Sequence, residues 1–223
     1  MASVITRIQR PEKSLVQSFA GIGAATVHEA AGRIGSVNPA IKPLRPGILI
    51  LGSALTVSCH PRDNLMLHKA LQIAEPGDVL VAATGNHPEA GYWGGLMATS
   101  AMARGIAGLA IDGCVRDSDE IVDMGFPVFC RGTCILGTTK GVLGNINHPL
   151  LFGGVVVHPG DLVLGDSDGM VVIPRADIEK VLEASKRRLE AEKVKAEKLG
   201  QGITSVELNK LAPVFEALGL VEE

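Results

Sequence analysis

Apolar residues follow two rhythms along this chain, one of period two and one near period 3.6, and their alternation predicts mixed α/β layers. Lys13 to Ala20 and Ala25 to Arg33 read as helices, the second ended by Gly35. Pro39, Pro43 and Pro46 then mark an extended connection. Ile48 to Cys59 reads as a long strand in which Gly52 marks a bulge or a close backbone approach. Helical spacing returns from Asp63 to Ile73, and the turn Glu75-Pro76-Gly77-Asp78 leads into a strand over Val79 to Ala83. The middle repeats this order: a glycine-punctuated loop over Thr84 to Gly91, a helix from Gly95 to Arg104 stopped by Gly105, and a strand at Leu109 to Ile111. A short helix to Met124 and a strand at Val128 to Cys130 follow. Strands at Leu162 to Leu164 and Met170 to Ile173 flank the hairpin turn Asp166 to Gly169. Charged helix runs from Ala176 to about Leu199, and an amphipathic helix is expected at Val206 to Leu218. No linker divides the chain, so a single α/β unit is expected, with residues 176–223 as a helical arm against a neighbouring subunit.

Composition narrows the class. With 46% hydrophobic and 20% charged residues the chain is globular rather than disordered. A balance of 21 basic against 24 acidic residues leaves no footprint for nucleic acid, and one Trp, one Tyr and five Phe make a poor base-stacking surface. The start of the chain has Arg7, Arg10 and Lys13 where a secretory signal needs an apolar run, and no stretch reads as a membrane span. A reduced, cytoplasmic setting is expected, with three of the four cysteines (Cys59, Cys114, Cys130 and Cys134) buried in strands. Cys130 and Cys134 lack the second ligand pair of a zinc site.

Several motifs carry no chemistry. Gly21-Ile22-Gly23 lacks a preceding strand and the third glycine of a dinucleotide fingerprint, and Gly132 to Lys140 misses the GK[ST] of a phosphate loop. No Gly-x-Ser-x-Gly elbow is present. Lys69 and Lys140 are candidates for a Schiff base but read as surface lysines, and His28 and His68 read as core or cap residues.

Two segments remain. In Gly91-Tyr92-Trp93-Gly94-Gly95-Leu96-Met97 the paired glycines open a helix, where bare N–H groups and the helix dipole suit an anion; a tight packing turn reads equally well. Asp112 to Glu120 follows a strand's C-terminal end, where α/β proteins place ligands. There Arg116 offers a planar fork for a carboxylate and Asp117 an oxygen ligand for Mg²⁺ or Mn²⁺. Four carboxylates within nine residues suit either a cation or a solvated helix start.

Twenty residues separate Gly95 from Arg116, and Asp117 and Glu120 complete G-x20-R-D-x2-E. With GYWGGLMATSAMARG, DGCVRD, TVHEAAGRIG and GDSDGMVVIP, this resembles the 4-hydroxy-4-methyl-2-oxoglutarate/4-carboxy-4-hydroxy-2-oxoadipate aldolase group of the family named after the regulator of ribonuclease activity A. The resemblance implies an αββα sandwich with mixed central sheets, assembled as trimers or hexamers with sites between subunits. It implies a class II pyruvate aldolase, dependent on Mg²⁺ or Mn²⁺, that also decarboxylates oxaloacetate. By the same resemblance Arg116 stabilises the enolate, Asp117 binds the metal, and the backbone of Leu96 and Met97, with Gly94 and Gly95, holds the substrate carboxylate. Glu192 is implied to reach a neighbouring subunit's metal site. Many relatives carry an aspartate at position 95; here Gly95 stands there and Glu120 is the natural substitute. The groups that read the distal half of the substrate are expected on loops that residue order does not place, Arg62 and Asn86 to Glu89 among them. Mainly decarboxylase activity, or a non-catalytic ribonuclease-regulating role, are the alternatives.

Overall fold

In the computed structural model, which describes residues 2–221, period-two apolar positions sort onto the two faces of one sheet. The helices are α1 (Lys13–Gln17), α2 (Ala24–Ala30), α3 (Leu65–Ile73), α4 (Gly95–Ala103), α5 (Ser118–Asp123), α6 (Ile178–Gly200), α7 (Ser205–Leu208) and α8 (Ala212–Ala217). The principal strands are β1 (Lys42–Pro43), β2 (Ile50–Ser58), β3 (Asp78–Ala83), β4 (Gly108–Asp112), β5 (Cys114–Val115) and β6 (Val128–Cys130). After them come β7 (Gly132–Thr133), β8 (Leu150–Phe152), β9 (Val155–Val157), β10 (Leu162–Gly165) and β11 (Met170–Ile173). Seven strands pair in the order β1-β6-β4-β3-β2-β10-β11. The central run β6-β4-β3-β2 is parallel and both flanks are antiparallel.

Alternate side chains along each strand reach different cores. Leu55, Val57, Leu80, Ala82, Leu109 and Ile111 pack with α3, α4 and α5 in one cluster. Their neighbours Ala54, Val79, Val81 and Ala110 face the other way and meet Phe129, Val163, Met170 and Val172. Beyond the antiparallel flank, Leu162, Leu164, Val171 and Ile173 meet Val27 of α2 and Ile178, Val181 and Leu182 of α6. Helix, strand, strand, helix is therefore the layering that the resemblance implies, and both strand layers draw on one continuous sheet. The hairpin β8–β9, turned by Gly153-Gly154, completes the inner layer through Phe152 and Val157.

Three expectations are corrected. The final helix is two short ones, because Lys210 takes a left-handed φ of 53° and Pro213 starts a new helix; a Thr204–Glu207 capping box begins the first. Two cysteines are buried rather than three: Cys59 and Cys130 sit in the core, where burial pushes their thiols up to about 12 and about 11, while Cys114 and Cys134 are partly exposed. Hairpin β8–β9 and the ladder β5–β7 are additional, too short for a hydrophobic period to announce. No helix among the described residues is long and apolar enough to cross a membrane.

Gly52 is the close approach that the strand pattern indicates. A Cβ there would overlap the Gly77 carbonyl oxygen and press on Val79 and Ala107, with no flexible side-chain end to give way. Gly52→Ala should therefore lower unfolding free energy by about 1–3 kcal/mol with an unchanged denaturant slope, measured by guanidinium titration.

Candidate active site

Three crossovers, through α3, α4 and α5, carry the chain from the C-terminal ends of β2, β3 and β4 over the same edge of the parallel run. The segment leaving β3 runs beside β5. Tyr92 N–H donates to the Cys114 carbonyl at 3.0 Å, and Arg116 N–H donates to the Trp93 carbonyl at 2.9 Å. This small ladder fixes Gly94-Gly95, at the start of α4, against Arg116-Asp117, at the start of α5.

Both aromatics serve as supports. Trp93 is buried and stacks on Phe126 with centroids 5.8 Å apart. The Tyr92 hydroxyl donates to the His87 carbonyl at 2.6 Å and accepts from the Arg62 N–H at 2.9 Å. These bonds explain why two bulky residues stand beside two glycines.

Asp117 occupies the left-handed region at φ 55° and ψ 41°, a conformation that aspartate tolerates better than most residues. Its Oδ2 accepts the Gly95 N–H at 3.1 Å and lies 3.7 Å from Arg116 Nε. Gly94 has an extended backbone that any residue can adopt, so its glycine answers to space. A Cβ on Gly94 would run into Asp117 Oδ2 and the Arg116 side chain, and one on Gly95 would overlap the Glu120 carboxylate. Glu120 thus fills the volume in which a side chain at position 95 would sit. Of the first N–H groups of α4, Gly95's goes to Asp117, those of Met97 and Ala98 both go to the Gly94 carbonyl, and Leu96's has no partner among the described residues. Leu96 N–H is the anion-binding donor left open.

A cleft of about 290 Å³ opens over this junction, with Gly94, Leu96, Met97, Arg116 and Asp117 on one side. Facing them are Asn64, which precedes α3, His68 within it, and Thr138 and Lys140 from the loop after β7. Sequence reading passed over Asn64 and Thr138 and set Lys140 aside as a surface lysine and His68 as a core or cap residue; Asn64 and His68 have the i, i+4 spacing of one helix face. Partial desolvation and the charge of Lys140 hold His68 below its ordinary pKa, which favours the neutral ring. Arg62 and the loop Asn86 to Glu89 do not line the cleft, because Arg62 is tied through its backbone to Tyr92 and Thr139. Lys69 bonds Gln72 on the surface of α3.

The acidic run does not converge as a whole. Asp112 pairs with Arg131, leaving Asp117 and Glu120 at the glycines. Glu192 lies elsewhere in the chain, on α6, 2.7 Å from Arg188 Nε and within 3.4 Å of Thr26 Oγ1. Among the described residues no three His, Cys, Asp or Glu side chains are grouped to hold a metal.

Comparison with known proteins places this geometry. Residues 24–172 match the family model described as RraA-like, Aldolase/RraA. A protein of Halalkalibacterium halodurans named "Putative 4-hydroxy-4-methyl-2-oxoglutarate aldolase" is 36% identical over 181 residues, 81% of this chain and 86% of that one. An uncharacterized Pseudomonas syringae protein superposes with a TM-score of 0.83 at 26% identity, covering 92% of this chain and 96% of the other. RraAS2 of Streptomyces coelicolor, described as an unusual member of the RNase ES inhibitor RraA family, superposes with a TM-score of 0.77 at 28% identity, covering 85% and 99%. From the matched residues and the shared layering, this chain belongs to the RraA-like family.

Proposed function

We propose that the chain is a divalent-metal-dependent lyase that cleaves 4-hydroxy-2-oxo acids to pyruvate and a second oxo acid, and decarboxylates oxaloacetate through the same enolate. The observation that carries this reading is the packing of Arg116, Asp117 and Glu120 onto the bare start of α4, with Arg116 and Asp117 lining a cleft that also presents Lys140. The names of relatives support the aldolase chemistry.

Mg²⁺ takes one or two protein carboxylates and keeps several waters, and the sparse pair Asp117 and Glu120 fits that habit. Asp117 and Glu120 would hold Mg²⁺ or Mn²⁺, which would supply Lewis acidity at the substrate's C2 oxygen. The chain's own groups do the remaining work. Leu96 N–H and the dipole of α4 bind the C1 carboxylate. Arg116, half exposed and held by its backbone to Trp93, faces the oxygen on which enolate charge develops. Glu120, through a water it holds, takes the C4 hydroxyl proton; the C4 oxygen forms the new carbonyl as the C3–C4 pair moves into the enolate, and the same proton returns to C3 to release pyruvate. Neutral His68 and cationic Lys140 contact the distal carboxylate across the cleft.

The wide exposure of Leu96 and Ile135 near the cleft suits a covering subunit, and a trimer or hexamer would let Glu192 of one copy approach another's site. The rival reading is a regulatory binding protein, favoured by the likeness to RraAS2. Pyruvate release, coupled to lactate dehydrogenase, separates the two: the lyase reading requires turnover and the rival requires none.

EDTA should abolish pyruvate release and added Mg²⁺ or Mn²⁺ restore it, whereas borohydride trapping of pyruvate on Lys140 would contradict the metal reading. Arg116→Ala and Asp117→Ala should each lower kcat by about 10²–10³ while the protein stays folded. Gly95→Ala makes a further case, because the group it displaces is the free end of a flexible side chain. It should leave Tm nearly unchanged, match Glu120→Ala in rate, and add nothing to it in the double variant, as read by steady-state kinetics.

A further inference from the structure

Asp63 lies at the end of the loop after β2 and is only 1% exposed. Its Oδ1 accepts the Leu65 N–H at 2.9 Å, at the start of α3. Its Oδ2 accepts three donors from the loop after β7: Thr139 Oγ1 at 2.8 Å, Gly141 N–H at 2.6 Å and Val142 N–H at 3.2 Å. Two backbone bonds reinforce the seam, from Thr139 N–H to the Arg62 carbonyl at 2.8 Å and from Asn64 N–H to the Thr139 carbonyl at 3.1 Å. These donors hold the carboxyl below its ordinary pKa despite its burial. Residues 134–149 form neither helix nor named strand; backbone bonds hold Cys134 and Leu136 at one end and Asn145 to Asn147 at the other, and the Asp63 seam holds the stretch between them.

The position of the seam gives it consequence. Thr138 and Lys140, on either side of the anchored Thr139, line the cleft, as do Asn64 and His68 beyond Asp63 on the other side. Asp63 itself does not line it. We propose that Asp63 is a positioning residue, which sets Lys140 against the distal end of the substrate by tying the 137–142 loop to the start of α3. This assignment rests on the proposed lyase reading for its substrate. Asp63 acts on ground-state and transition-state binding alike through Lys140, so its loss falls on KM more than on kcat.

The experiment combines kinetics with hydrogen exchange on Asp63→Asn, Lys140→Ala, their double variant, and Thr139→Val, which removes one donor and keeps the fold's volume. Asp63→Asn should raise KM for oxaloacetate about tenfold with kcat within about threefold of wild type. Thr139→Val should shift KM in the same direction by less, and the double variant should be no worse than Lys140→Ala alone. Gly141 and Val142 amides should exchange about tenfold faster in Asp63→Asn while β3 and β4 keep their protection. Multiplying effects of Asp63→Asn and Lys140→Ala, an unchanged KM, or wild-type exchange at Gly141 and Val142 would each overturn the assignment. Should the wild-type chain release no pyruvate, the lyase reading fails by itself. Loop exchange and the acetylation rate of Lys140 then decide Asp63: faster in Asp63→Asn supports it, and wild-type rates overturn it.

Discussion

The close packing of two carboxylates against bare backbone at the start of α4 is the constraint on which the rest of the site depends. Asp117 and Glu120 come this near only because residues 94 and 95 have no side chains, and the Gly95 N–H gives one of them a hydrogen bond. Arg116 and Asp117 are delivered there by β4 and β5, and the glycines by the loop leaving β3. Parallel pairing of β3 with β4 sets both deliveries at the same sheet edge. Trp93 and Tyr92, buried alongside, keep the two segments in register.

Electrostatics follows from that junction. The helix start and Arg116 favour an anion, whereas Asp117 and Glu120 repel one, so on the proposed reading a cation reconciles them. Lys140 adds positive charge on the far wall, so on the proposed reading the cleft has two separated anion-binding ends. A substrate with a carboxylate at each end matches this spacing of charge better than a monoanion. Glu192, committed to Arg188 and Thr26 within its own chain, enters the account only through a second copy.

Much of this was legible from residue order. The two halves of the junction, Gly94-Gly95 and Arg116-Asp117, were joined through the family resemblance, whereas alternation in β2, β3 and β4 marked both faces of the sheet because that signal is local. Gly52 was legible for the same reason, as a strand position where the backbone must pass close to another. Asn64, His68, Thr138 and Lys140 were not, since they meet only after the β2 and β7 loops are brought together by Asp63, some 76 residues from its partner Thr139. Hairpin β8–β9 and the split of the last helix escaped because three-residue strands and single turns carry no period to read. The four acids near Arg116 looked like one cluster in sequence, yet Arg131, distant in the chain, neutralises Asp112.

On the proposed reading this junction stabilises a pyruvate enolate, and exchange of pyruvate's methyl protons in D₂O tests that without requiring the physiological substrate. Enolate formation is sufficient for that exchange, and proton NMR follows it directly. With Mg²⁺ or Mn²⁺ present, the wild-type chain should erase the methyl signal well above the buffer rate, and Asp117→Ala should not. Exchange at the buffer rate by the metal-loaded wild-type protein would contradict the account.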